Sequence, residues 1–580
     1  MWIVYCLVPL AGWILLSGLD DLFICLVWLW PRRKSVRAPA DCELEAIAER
    51  RIAILVPLWR EHRVIGQMLD RNLAAIRYRN YEIFAGVYPN DEMTLRAVEE
   101  VARRHARLHV AVVPHDGPTS KGDCLNAIFR RLQEFETRRG CRFETIVTHD
   151  AEDLIHPDSL RLINWYAREY AMVQIPVLAL PTGLAEFTHG LYCDEFAEYQ
   201  SKDIPVRQRL GGFLPSNGVG TGFDRQALEH LAATRRGLIF DPDCLTEDYE
   251  NGYGLHALGY RQIFVPLQFG RGEPVSTREY FPRKLRSAIR QRSRWVAGIA
   301  LQGWQRHGWR VPRRQLYWLW RDRKGLVGNL LSPVANLLFL CWLARWHSPG
   351  HMPLLAARLC TLTVGLSAIQ AMARMWCSRR IYGWRFAAGV LPRILWSNVV
   401  NCAATFSALW QFTGAVRHGR SLAWRKTEHM YPVHRTPGQS RLGEILVGMQ
   451  CLSRGELNEA LMTQPRVVRL GEHLLRARII SEDVLYHALS LQAGMELGSP
   501  AGQEVSRRVT RTFPAAVVER WKVLPYRVDL GQLHIVTTGI PSEMMTRELA
   551  GLTSLELRFR LVTPAEFERL TGEYLASSRG

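Results

Sequence analysis

The sequence predicts an α/β protein with a doubly wound, largely parallel sheet, membrane helices before and after it in the chain, and a C-terminal region with a helical repeat and a small α/β part. Three observations support this prediction. Strand-like and helix-like segments alternate through residues 45–320, apolar stretches precede and follow that block, and a helical repeat begins after residue 440. At 580 residues the chain is long enough for two or three domains.

Four apolar runs predict the strands of the sheet. Ile52–Pro57 is a continuous apolar run, which is typical of a parallel strand buried on both faces. Three further runs follow at residues 81–88, 109–114 and 145–148, with helix-like segments between them. This alternation predicts a nucleotide-binding sheet whose ligands lie at the carboxyl ends of the strands.

Composition and charge narrow the class of protein. A mean hydropathy of −0.09 excludes a mostly membranous chain, and the twelve cysteines form no Cys-x-x-Cys pair, which argues for reduced thiols and against structural zinc. The net charge of +19 is concentrated in residues 278–324, which carry 14 Lys and Arg against two acids. No aromatic platform or helix-turn-helix accompanies this charge. We therefore predict no nucleic-acid partner and a cytoplasmic belt facing lipid phosphates.

Apolar segments predict a multi-pass protein of the lipid bilayer. Residues 1–31 lack the basic start and the small-residue cleavage site of a signal peptide, so we predict a membrane span that is retained. The basic residues that follow would keep the next domain in the cytoplasm. A second membrane region is predicted at 325–415, with spans at about 325–344 and 353–372.

The last apolar stretch, 385–413, is interrupted by Arg393, Asn398 and Asn401. If the domains before and after the membrane region are both cytoplasmic, this stretch must cross the membrane an even number of times. Polar groups in lipid need partners. We therefore predict a helix lying in the interface, or a re-entrant hairpin.

Three polar motifs follow one another along the predicted α/β block. Carboxylates directly after the strand 145–148 suit Mg²⁺ or Mn²⁺ carrying a diphosphate, a second acidic motif can supply a general base, and a third can grip phosphate and stack on a ring. Taken singly, a motif of the first kind is more often a solvated turn, and one of the second kind is more often a helix N-cap. The residues concerned are Asp150, Glu152 and Asp153, then Glu247 and Asp248, then Gln291, Arg294 and Trp295.

At these motifs, residues 45–425 resemble the processive family 2 glycosyltransferases of the cellulose-synthase and hyaluronan-synthase type. The variant Asp-Ala-Glu-Asp at 150–153, with Pro-Asn-Asp at 89–91 and Pro-Thr-Ser-Lys at 118–121, is closest to the inner-membrane glycosyltransferases first known as parts of a bacteriophage receptor. The resemblance implies a GT-A fold and inverting sugar transfer from a nucleotide sugar, UDP-linked, with Mg²⁺ or Mn²⁺. The family has Asp-x-Asp where Glu152 stands, so either Glu152 or Asp153 would join Asp150 at the metal.

The same resemblance implies roles for individual residues. Asp248 would deprotonate the acceptor hydroxyl while Glu247 positions its loop, and Gln291, Arg294 and Trp295 would close over the diphosphate and stack near the acceptor sugar. The residues implied at the nucleotide sugar are Pro57, Glu61, Asp91, which would contact the uridine, Lys121 and Asp150. Asp91 could instead cap the next helix. The glycine-rich stretch 216–222 could bring backbone close to the ligand or form a plain turn.

The C-terminal region contains an internal repeat with an offset of 28 residues. The sequence Arg-Leu-Gly-Glu at 441–444 recurs at 469–472, and leucines, alanines and a glutamine recur at the same offset. Ser453 and Ser481 are predicted N-caps. A duplicated helical hairpin that packs against itself explains the leucines, but it requires neither the leading Arg-Leu-Gly nor the trailing Gln.

These positions resemble the MshEN-type module, which binds cyclic-di-GMP through two tandem 24-residue motifs. Both copies depart from it at their tenth position, where Gln450 and Arg478 replace a glycine. Residues 500–580 resemble the small α/β partner of that module, so we predict a binding domain at 441–580 after a linker at 431–440. The implied ligand residues are Arg441, Leu442, Gly443, Leu457, Leu461 and Gln464, and their counterparts Arg469, Leu470, Gly471, Leu485, Leu489 and Gln492.

Two classes of function follow from these predictions. The first is an inner-membrane enzyme, a hexosyl- or N-acetylhexosaminyltransferase, that extends an exopolysaccharide acceptor, is activated by cyclic-di-GMP and works with an outer-membrane export partner. The second is a cyclic-di-GMP-responsive receptor or scaffold that keeps the fold without turnover. The retained Asp248 and the Gln-x-x-Arg-Trp motif favour the enzyme, because a scaffold has no use for a general base.

Overall fold

The computed structural model describes residues 2–31, 36–267, 274–344, 354–419, 441–449, 451–465, 468–500, 502–529 and 531–575. The chain forms two compact units. The first contains most of the residues up to 419, and the second contains most of the residues from 441 onwards. Each unit is described by itself. The predicted linker at 431–440, the basic residues 32–34 and Gln450 lie outside the described residues.

The strands of the first unit belong to two sheets. The described strands are β1 (Ile52–Pro57), β2 (Tyr81–Val87), β3 (Leu108–Val112), β4 (Thr145–Thr148), β5 (Met172–Gln174), β6 (Val177–Ala179), β7 (Thr221–Asp224), β8 (Gln262–Phe264) and β9 (Thr277–Glu279). The larger sheet has the order β3-β2-β1-β4-β7-β5-β8, and β6 pairs with β9.

The larger sheet is mixed rather than wholly parallel. Strands β3, β2, β1 and β4 are parallel, as predicted, while β7 runs antiparallel to both β4 and β5. Ile54 on β1 is fully buried between Ile83 on β2 and Val147 on β4, because the strand is covered on both faces. The parallel register brings the ends of β1, β2 and β4 to one edge of the sheet.

Helices connect these strands and extend beyond them. Up to residue 419 the described helices are α1 (Trp2–Leu29), α2 (Asp41–Ala46), α3 (Ile65–Ala75), α4 (Glu92–Arg104), α5 (Lys121–Arg139), α6 (Ser159–Tyr166), α7 (Phe187–Glu198), α8 (Ile204–Arg209), α9 (Arg225–Ala233), α10 (Glu247–Ala257), α11 (Leu285–Trp295), α12 (Gly303–His307), α13 (Arg313–Arg323), α14 (Gly325–Ala344), α15 (Leu354–Tyr382), α16 (Trp384–Ala387) and α17 (Val390–Arg417). Two π-helical turns, Tyr199–Asp203 and Val296–Gln302, follow α7 and α11 directly.

The N-terminal helix is the clearest membrane candidate. Among the described residues, the segment Val8–Leu29 alone forms a helix long and apolar enough to cross a membrane. Its two acidic residues are paired inside the protein: Asp20 with Arg321 and Lys324, and Asp21 with the same two cations. These pairs explain how two carboxylates fit in an otherwise apolar helix.

Within the stretch 385–413, predicted as an interfacial helix or a re-entrant hairpin, residues 385–387 belong to α16 and residues from 390 onwards form one continuous helix, α17. The polar residues of α17 have partners on other helices that the sequence could not show. The Nε atom of Arg393 lies 2.6 Å from Oδ2 of Asp194 on α7, and Asn398 donates to Asn336 on α14 (3.2 Å). Asn401 donates to Glu195 on α7 (3.3 Å).

The second unit combines a helical repeat with a small sheet. Its described helices are α18 (Leu442–Gly448), α19 (Arg454–Thr463), α20 (Leu470–Arg476), α21 (Glu482–Ala493), α22 (Arg507–Thr510), α23 (Ala515–Trp521), α24 (Glu543–Ala550) and α25 (Pro564–Leu575), with a 3₁₀ turn at Gly502–Glu504. Its strands are β10 (Glu496–Leu497), β11 (Val523–Asp529), β12 (Gln532–Thr537) and β13 (Glu556–Leu561), in the order β10-β13-β12-β11. The predicted small α/β partner is therefore present.

The repeat is visible in three dimensions. Each copy is a short helix followed by a longer one, and the longer helix begins at the predicted N-cap serine. The hydroxyl of Ser453 accepts a hydrogen bond from the Glu456 amide (3.1 Å), and that of Ser481 accepts one from the Val484 amide (3.3 Å). The helical spacing deduced from the 28-residue offset is thus confirmed.

Candidate functional site

A cleft opens where β1, β2 and β4 end. Residues from all three motifs of the α/β block reach it, together with aromatic side chains that no motif contains. The cleft is lined by Pro57, Leu58, Trp59, Glu61, Tyr88, Pro118, Thr119, Ser120, Lys121, Cys124, Asp150, Ala151, Glu152, Asn217, Val219, Asp248, Glu279, Phe281, Gln291, Arg294 and Trp295.

Most of the residues that the sequence assigned to catalysis, to the nucleotide sugar or to the metal meet in this cleft, although some are more than 150 positions apart along the chain. Three do not line it: Asp91, Asp153 and Glu247. Glu247 and Asp248 are the first two residues of α10, and Glu247 is buried beside the cleft.

Lys121 is the cation at the strand-end side of the cleft. It is the first residue of α5, whose start is fixed by Ser120 accepting a hydrogen bond from the Asp123 amide (3.2 Å). Its Nζ lies 2.7 Å from Oδ1 of Asp150. Burial alone would lower the pKa of Lys121, but Asp150, Glu247 and Asp248 outweigh it and raise that pKa above its usual value. Lys121 therefore stays charged.

The acidic residues after β4 point in different directions. Asp150 and Glu152 line the cleft, whereas Asp153 is fully buried and turned towards the core. Oδ2 of Asp153 lies 2.7 Å from Nδ1 of the fully buried His149 and accepts a hydrogen bond from the Asp150 amide (3.0 Å). Asp153 therefore fixes the turn that presents Asp150.

The donor set of the cleft suits a hard divalent cation. Asp150 and Glu152 offer carboxylate oxygens, the ligand type that Mg²⁺ and Mn²⁺ prefer. Across the described ranges, no group of three or more His, Cys, Asp or Glu side chains is placed to hold a metal by itself. A cation here would therefore need further oxygens from a bound diphosphate, which is how substrate-phosphate sites for Mg²⁺ are commonly completed.

Asp248 lies against Lys121 and a glycine-rich turn. Burial raises the pKa of Asp248, and Lys121 opposes part of that rise. Gly218 has a φ of +77°, and a β-carbon there would lie 2.6 Å from Oδ2 of Asp248 and 3.3 Å from Nζ of Lys121. Its carbonyl oxygen accepts a hydrogen bond from Lys121 (3.4 Å). The glycine-rich stretch thus lies beside the cleft, which its residues Asn217 and Val219 line.

One face of α11 forms the opposite wall. Gln291, Arg294 and Trp295 are three and four residues apart, so their side chains leave the helix on the same side, and all three line the cleft. Arg292 points away from the cleft. Its Nη1 lies 2.8 Å from Oε2 of Glu195 on α7 and donates to Oδ1 of Asn401 on α17 (2.6 Å).

Asp91 braces a loop beside the cleft. It occupies the N-cap position of α4 without a side-chain capping bond, and its carboxylate accepts a hydrogen bond from the Arg60 amide. Arg60 has a φ of +55°, which residues with a β-carbon seldom adopt. Its neighbour Glu61 does line the cleft, and the backbone amide of Glu61 donates a hydrogen bond to the Thr94 hydroxyl (2.9 Å).

Sequence reasoning missed the aromatic and acidic residues that complete the cleft. Trp59 and Tyr88 follow β1 and β2, and their rings lie edge to face with centroids 5.4 Å apart. A strand end next to a predicted ligand site was a usable signal for both. Glu279 and Phe281 gave no such signal, because β9 has only three residues and no motif surrounds it.

The predicted cyclic-di-GMP residues occupy equivalent places in the two copies of the repeat. Arg441 and Arg469 are exposed N-cap residues of α18 and α20, followed by Leu442 and Leu470. A β-carbon on Gly443 would lie 2.6 Å from Leu457, and one on Gly471 would lie 2.7 Å from Leu485. Packing therefore explains the glycines but not the arginines.

Other predicted positions of the repeat differ in exposure. Leu461 is exposed, with 51% of its surface accessible, whereas Leu489 is partly buried. Gln464 donates a hydrogen bond to the Val468 carbonyl (2.6 Å), and Gln492 follows Leu491 near the end of α21. Arg478, where the resembling family has glycine, has a φ of +55°. The turn thus does require the left-handed conformation that glycine adopts most easily.

The fold and the cleft define a glycosyltransferase of the GT-A type. Residues 49–298 match the family described as "Glycosyltransferase like family 2", and residues 493–580 match the "MshEN domain". The second match begins directly after Gln492, so the repeat itself lies outside it.

Comparison with characterised sequences gives the family. The chain is 36% identical over 570 residues to bacteriophage adsorption protein B of Escherichia coli (strain K12), covering 91% of this chain and 76% of the relative. Bacteriophage N4 adsorption protein B of Escherichia coli O157:H7 matches with the same identity and coverage. The chain therefore belongs to the bacteriophage adsorption protein B family.

Two solved structures are similar to parts of the chain. The mannosyltransferase PcManGT from Pyrobaculum calidifontis, in complex with GDP-Man and Mn²⁺, is 20% identical with a TM-score of 0.43, covering 70% of this chain and 99% of the other. The structure of MshE with cdg is 22% identical with a TM-score of 0.22, covering 23% of this chain and 99% of the other.

Proposed function

We propose that this protein transfers a sugar from a nucleotide sugar, UDP-linked, to a growing bacterial exopolysaccharide, with inversion at the anomeric carbon. The observation that carries the proposal is the convergence of Lys121, Asp150 and Asp248 with one face of α11 in a single cleft. This arrangement places cations, a candidate metal ligand and a candidate base around one space. It meets the requirements of displacing a nucleoside diphosphate.

In this mechanism the residues take four roles. Lys121 and Arg294 stabilise the charge that develops on the leaving diphosphate, and Gln291 and Trp295 orient the sugars. Asp150 and Glu152 would hold Mg²⁺ or Mn²⁺, which neutralises diphosphate charge when bound. Asp248 accepts the proton of the acceptor hydroxyl from the face opposite the leaving group, which gives inversion.

Burial prepares Asp248 for that task. A carboxylate with a raised pKa is a stronger base, and the adjacent Lys121 keeps it ionised enough to act. Glu247, whose pKa is also raised by burial and by Asp248, sits outside the cleft and positions the start of α10. Asp153 likewise positions Asp150, because its carboxylate is held by His149 and accepts a hydrogen bond from the Asp150 amide.

We also propose that cyclic-di-GMP binds the repeat at 441–492 and activates transfer. Two exposed arginines at equivalent helix starts support this, since each can pair with phosphate and lie flat on a guanine. A ligand changes the rate only if it binds one conformation of the whole chain more tightly than another. Activation therefore requires the second unit to favour a catalytically competent arrangement when loaded.

The proposed location is the bacterial inner membrane, with several crossings and with both units in the cytoplasm. Besides α1, the helices α14, α15 and α17 have 20, 29 and 28 residues and reach about 30 Å or more at 1.5 Å per residue, so they have the length of a span. Among the described residues, Val8–Leu29 alone also has the apolar composition of a span. The paired polar residues of α17 allow it to lie at membrane depth. An outer-membrane export partner would carry the product onwards.

The test is an incorporation assay with the full-length protein in membranes. A panel of radiolabelled nucleotide sugars would be supplied with Mg²⁺ or Mn²⁺, with and without cyclic-di-GMP, and Asp248→Asn would serve as the inactive control. We expect polymer-bound label from one donor, dependent on Asp248 and increased by cyclic-di-GMP. Binding of a nucleotide sugar without incorporation of any label would instead indicate a scaffold.

A further inference from the structure

The cleft contains a carboxylate and an aromatic ring that none of the motifs includes. Glu279 is the last residue of β9, and Phe281 lies two positions further along. In extended backbone, residues two apart point to the same side. Accordingly both line the cleft, whereas the Tyr280 ring lies on the other side, 5.4 Å from the ring of His189.

The Glu279 side chain is buried without a protein partner for its carboxylate. It is 9% exposed, yet no hydrogen bond to its oxygens is made by any residue in the described part of the chain. Its oxygens are not fully enclosed, and they open to the cleft that Glu279 lines. A carboxylate held open towards a cleft is therefore suited to hydrogen-bond donors that a ligand brings.

Trp295 provides an apolar wall in the same cleft, and Phe281, only 3% exposed, packs against its ring and fixes it. The Phe281 ring is stacked on Tyr192, with centroids 4.7 Å apart and planes 9° apart. The Trp295 ring stands at 75° to it, with centroids 6.4 Å apart. A sugar ring has an apolar face of C–H groups and a rim of hydroxyl donors, and this combination matches a ring wall beside a carboxylate acceptor.

We propose that Glu279, Phe281 and Trp295 form a sugar subsite, in which the Glu279 carboxylate accepts hydrogen bonds from sugar hydroxyls. The proposal rests on the glycosyltransferase function proposed above and names residues that select its sugar. The ring bound there is either the transferred sugar of the donor or the terminal sugar of the acceptor. Both have the same chemistry, so the experiment separates them.

A second cation ligand is the main competing role for Glu279. Burial and the nearby carboxylates of Asp153, Glu152 and Asp150 raise the pKa of Glu279 well above its usual value, so Glu279 shares this acidic side of the cleft. Among the described residues, however, no three metal-ligating side chains are placed to hold an ion by themselves. If Glu279 nevertheless bound the metal, its loss would weaken nucleotide binding as much as nucleotide-sugar binding. This difference makes the two roles distinguishable.

The experiment compares Glu279→Gln with the wild type in the full-length, detergent-solubilised protein. Glu99→Gln, an exposed change on α4 away from the cleft, is the matched control. UDP and GDP, each with Mn²⁺, and a panel of their sugar derivatives would be titrated, and the KM for polymer acceptor would be measured. The retained affinity for the nucleoside diphosphate reports whether the variant is folded around its cleft.

We expect Glu279→Gln to leave diphosphate affinity within about twofold, because the diphosphate does not touch this subsite. A loss of about threefold to tenfold in the additional affinity given by the donor sugar assigns the subsite to the donor, since one hydrogen bond contributes about that factor. A similar rise in acceptor KM assigns it to the acceptor. Phe281→Leu should reproduce whichever effect appears.

Three results would overturn the proposal. One is unchanged sugar-dependent affinity together with unchanged acceptor KM in Glu279→Gln. Another is an equal loss of diphosphate and nucleotide-sugar affinity, which would indicate a metal ligand. The last is a wild-type protein that binds no nucleotide sugar at all, which would overturn the glycosyltransferase proposal as well and is recognised before any variant is made.

Discussion

Glycine is required for different reasons in the cleft of the first unit and in the repeat of the second unit. Gly218 is required because polar atoms of Asp248 and Lys121 occupy the space of a side chain. Gly443 and Gly471 are required because leucines occupy it. A motif residue therefore indicates function only where packing does not already demand it. In the repeat, that leaves Arg441 and Arg469 as the informative positions.

The largest effect expected from the cleft is that of Asp248→Asn. The amide keeps the shape of the side chain but cannot take the acceptor proton, and general-base catalysis contributes about 10²–10⁴-fold. We expect transfer to fall by that factor while nucleotide-sugar affinity stays close to that of the wild type. Turnover near the wild-type rate would show that Asp248 is not the general base. It would also weaken the conclusion that the cleft glycine serves function rather than packing.

A glycine pair separates backbone strain from site geometry in the cleft. Gly218 and Gly259 both have strongly positive φ, +77° and +84°, but only at Gly218 would a β-carbon meet other atoms. Gly218→Ala should displace Asp248 or Lys121 and reduce transfer by about 10–100-fold, since displacements near 1 Å have effects of that size.

Gly259→Ala is the matched control for Gly218→Ala. It should reduce stability by about 1 kcal/mol through its left-handed backbone and leave the rate per folded molecule unchanged. The measurements are the single-turnover rate and the melting temperature of each variant. Equal loss of rate in the two alanine variants would mean that Gly218 acts only through backbone strain.

In the repeat, arginine and glycine variants should fail in different ways. Arg441→Ala and Arg469→Ala should each weaken cyclic-di-GMP binding by about 10–100-fold, the value of a charge-assisted pair with phosphate, without loosening the helices. Gly443→Ala should instead raise amide hydrogen exchange in α18 and α19, because its β-carbon meets Leu457. Isothermal titration and hydrogen exchange on the full-length protein measure both. Unchanged affinity in both arginine variants would reduce the repeat to a packed hairpin.

The sequence was sufficient for the regular parts of the fold and insufficient where orientation depends on distant partners. β1 and β4 lie where their apolar runs predicted, because continuous hydrophobicity is a local property. The antiparallel β7 was not predicted, since its first two residues belong to the glycine-rich stretch 216–222 and the strand is recognised only by pairing with β4 and β5.

The site shows the same division. That carboxylates gather after β4 follows from the strand end, but which of Glu152 and Asp153 faces the cleft depends on His149, which captures Asp153 in the core. Likewise the polar residues of α17 suggested an interrupted segment until Asp194 and Asn336 supplied their partners. Glu279 had no pattern around it at all. Such residues become visible only when buried charge and hydrogen bonding are accounted for in three dimensions.

The smallest expected effect concerns the turn where the second copy of the repeat departs from its family. Arg478 follows Ala477, the C-cap residue of α20, and has a φ of +55°; its amide donates to the Leu475 carbonyl (2.9 Å). A side chain in that conformation costs about 1 kcal/mol, whereas glycine adopts it freely. Arg478→Gly should therefore slow hydrogen exchange in α20 and α21 and tighten cyclic-di-GMP binding a few-fold.

Glu459→Gly is the matched control for Arg478→Gly, because it places glycine on an exposed position inside α19, where it should destabilise by about 1 kcal/mol. Opposite signs for the two glycine variants would show that the left-handed turn, rather than glycine itself, sets the effect. Slower hydrogen exchange without tighter cyclic-di-GMP binding would mean that this turn serves packing alone, as Gly471 does. Weaker packing in Arg478→Gly would mean that the arginine side chain stabilises the repeat by more than its backbone strain costs.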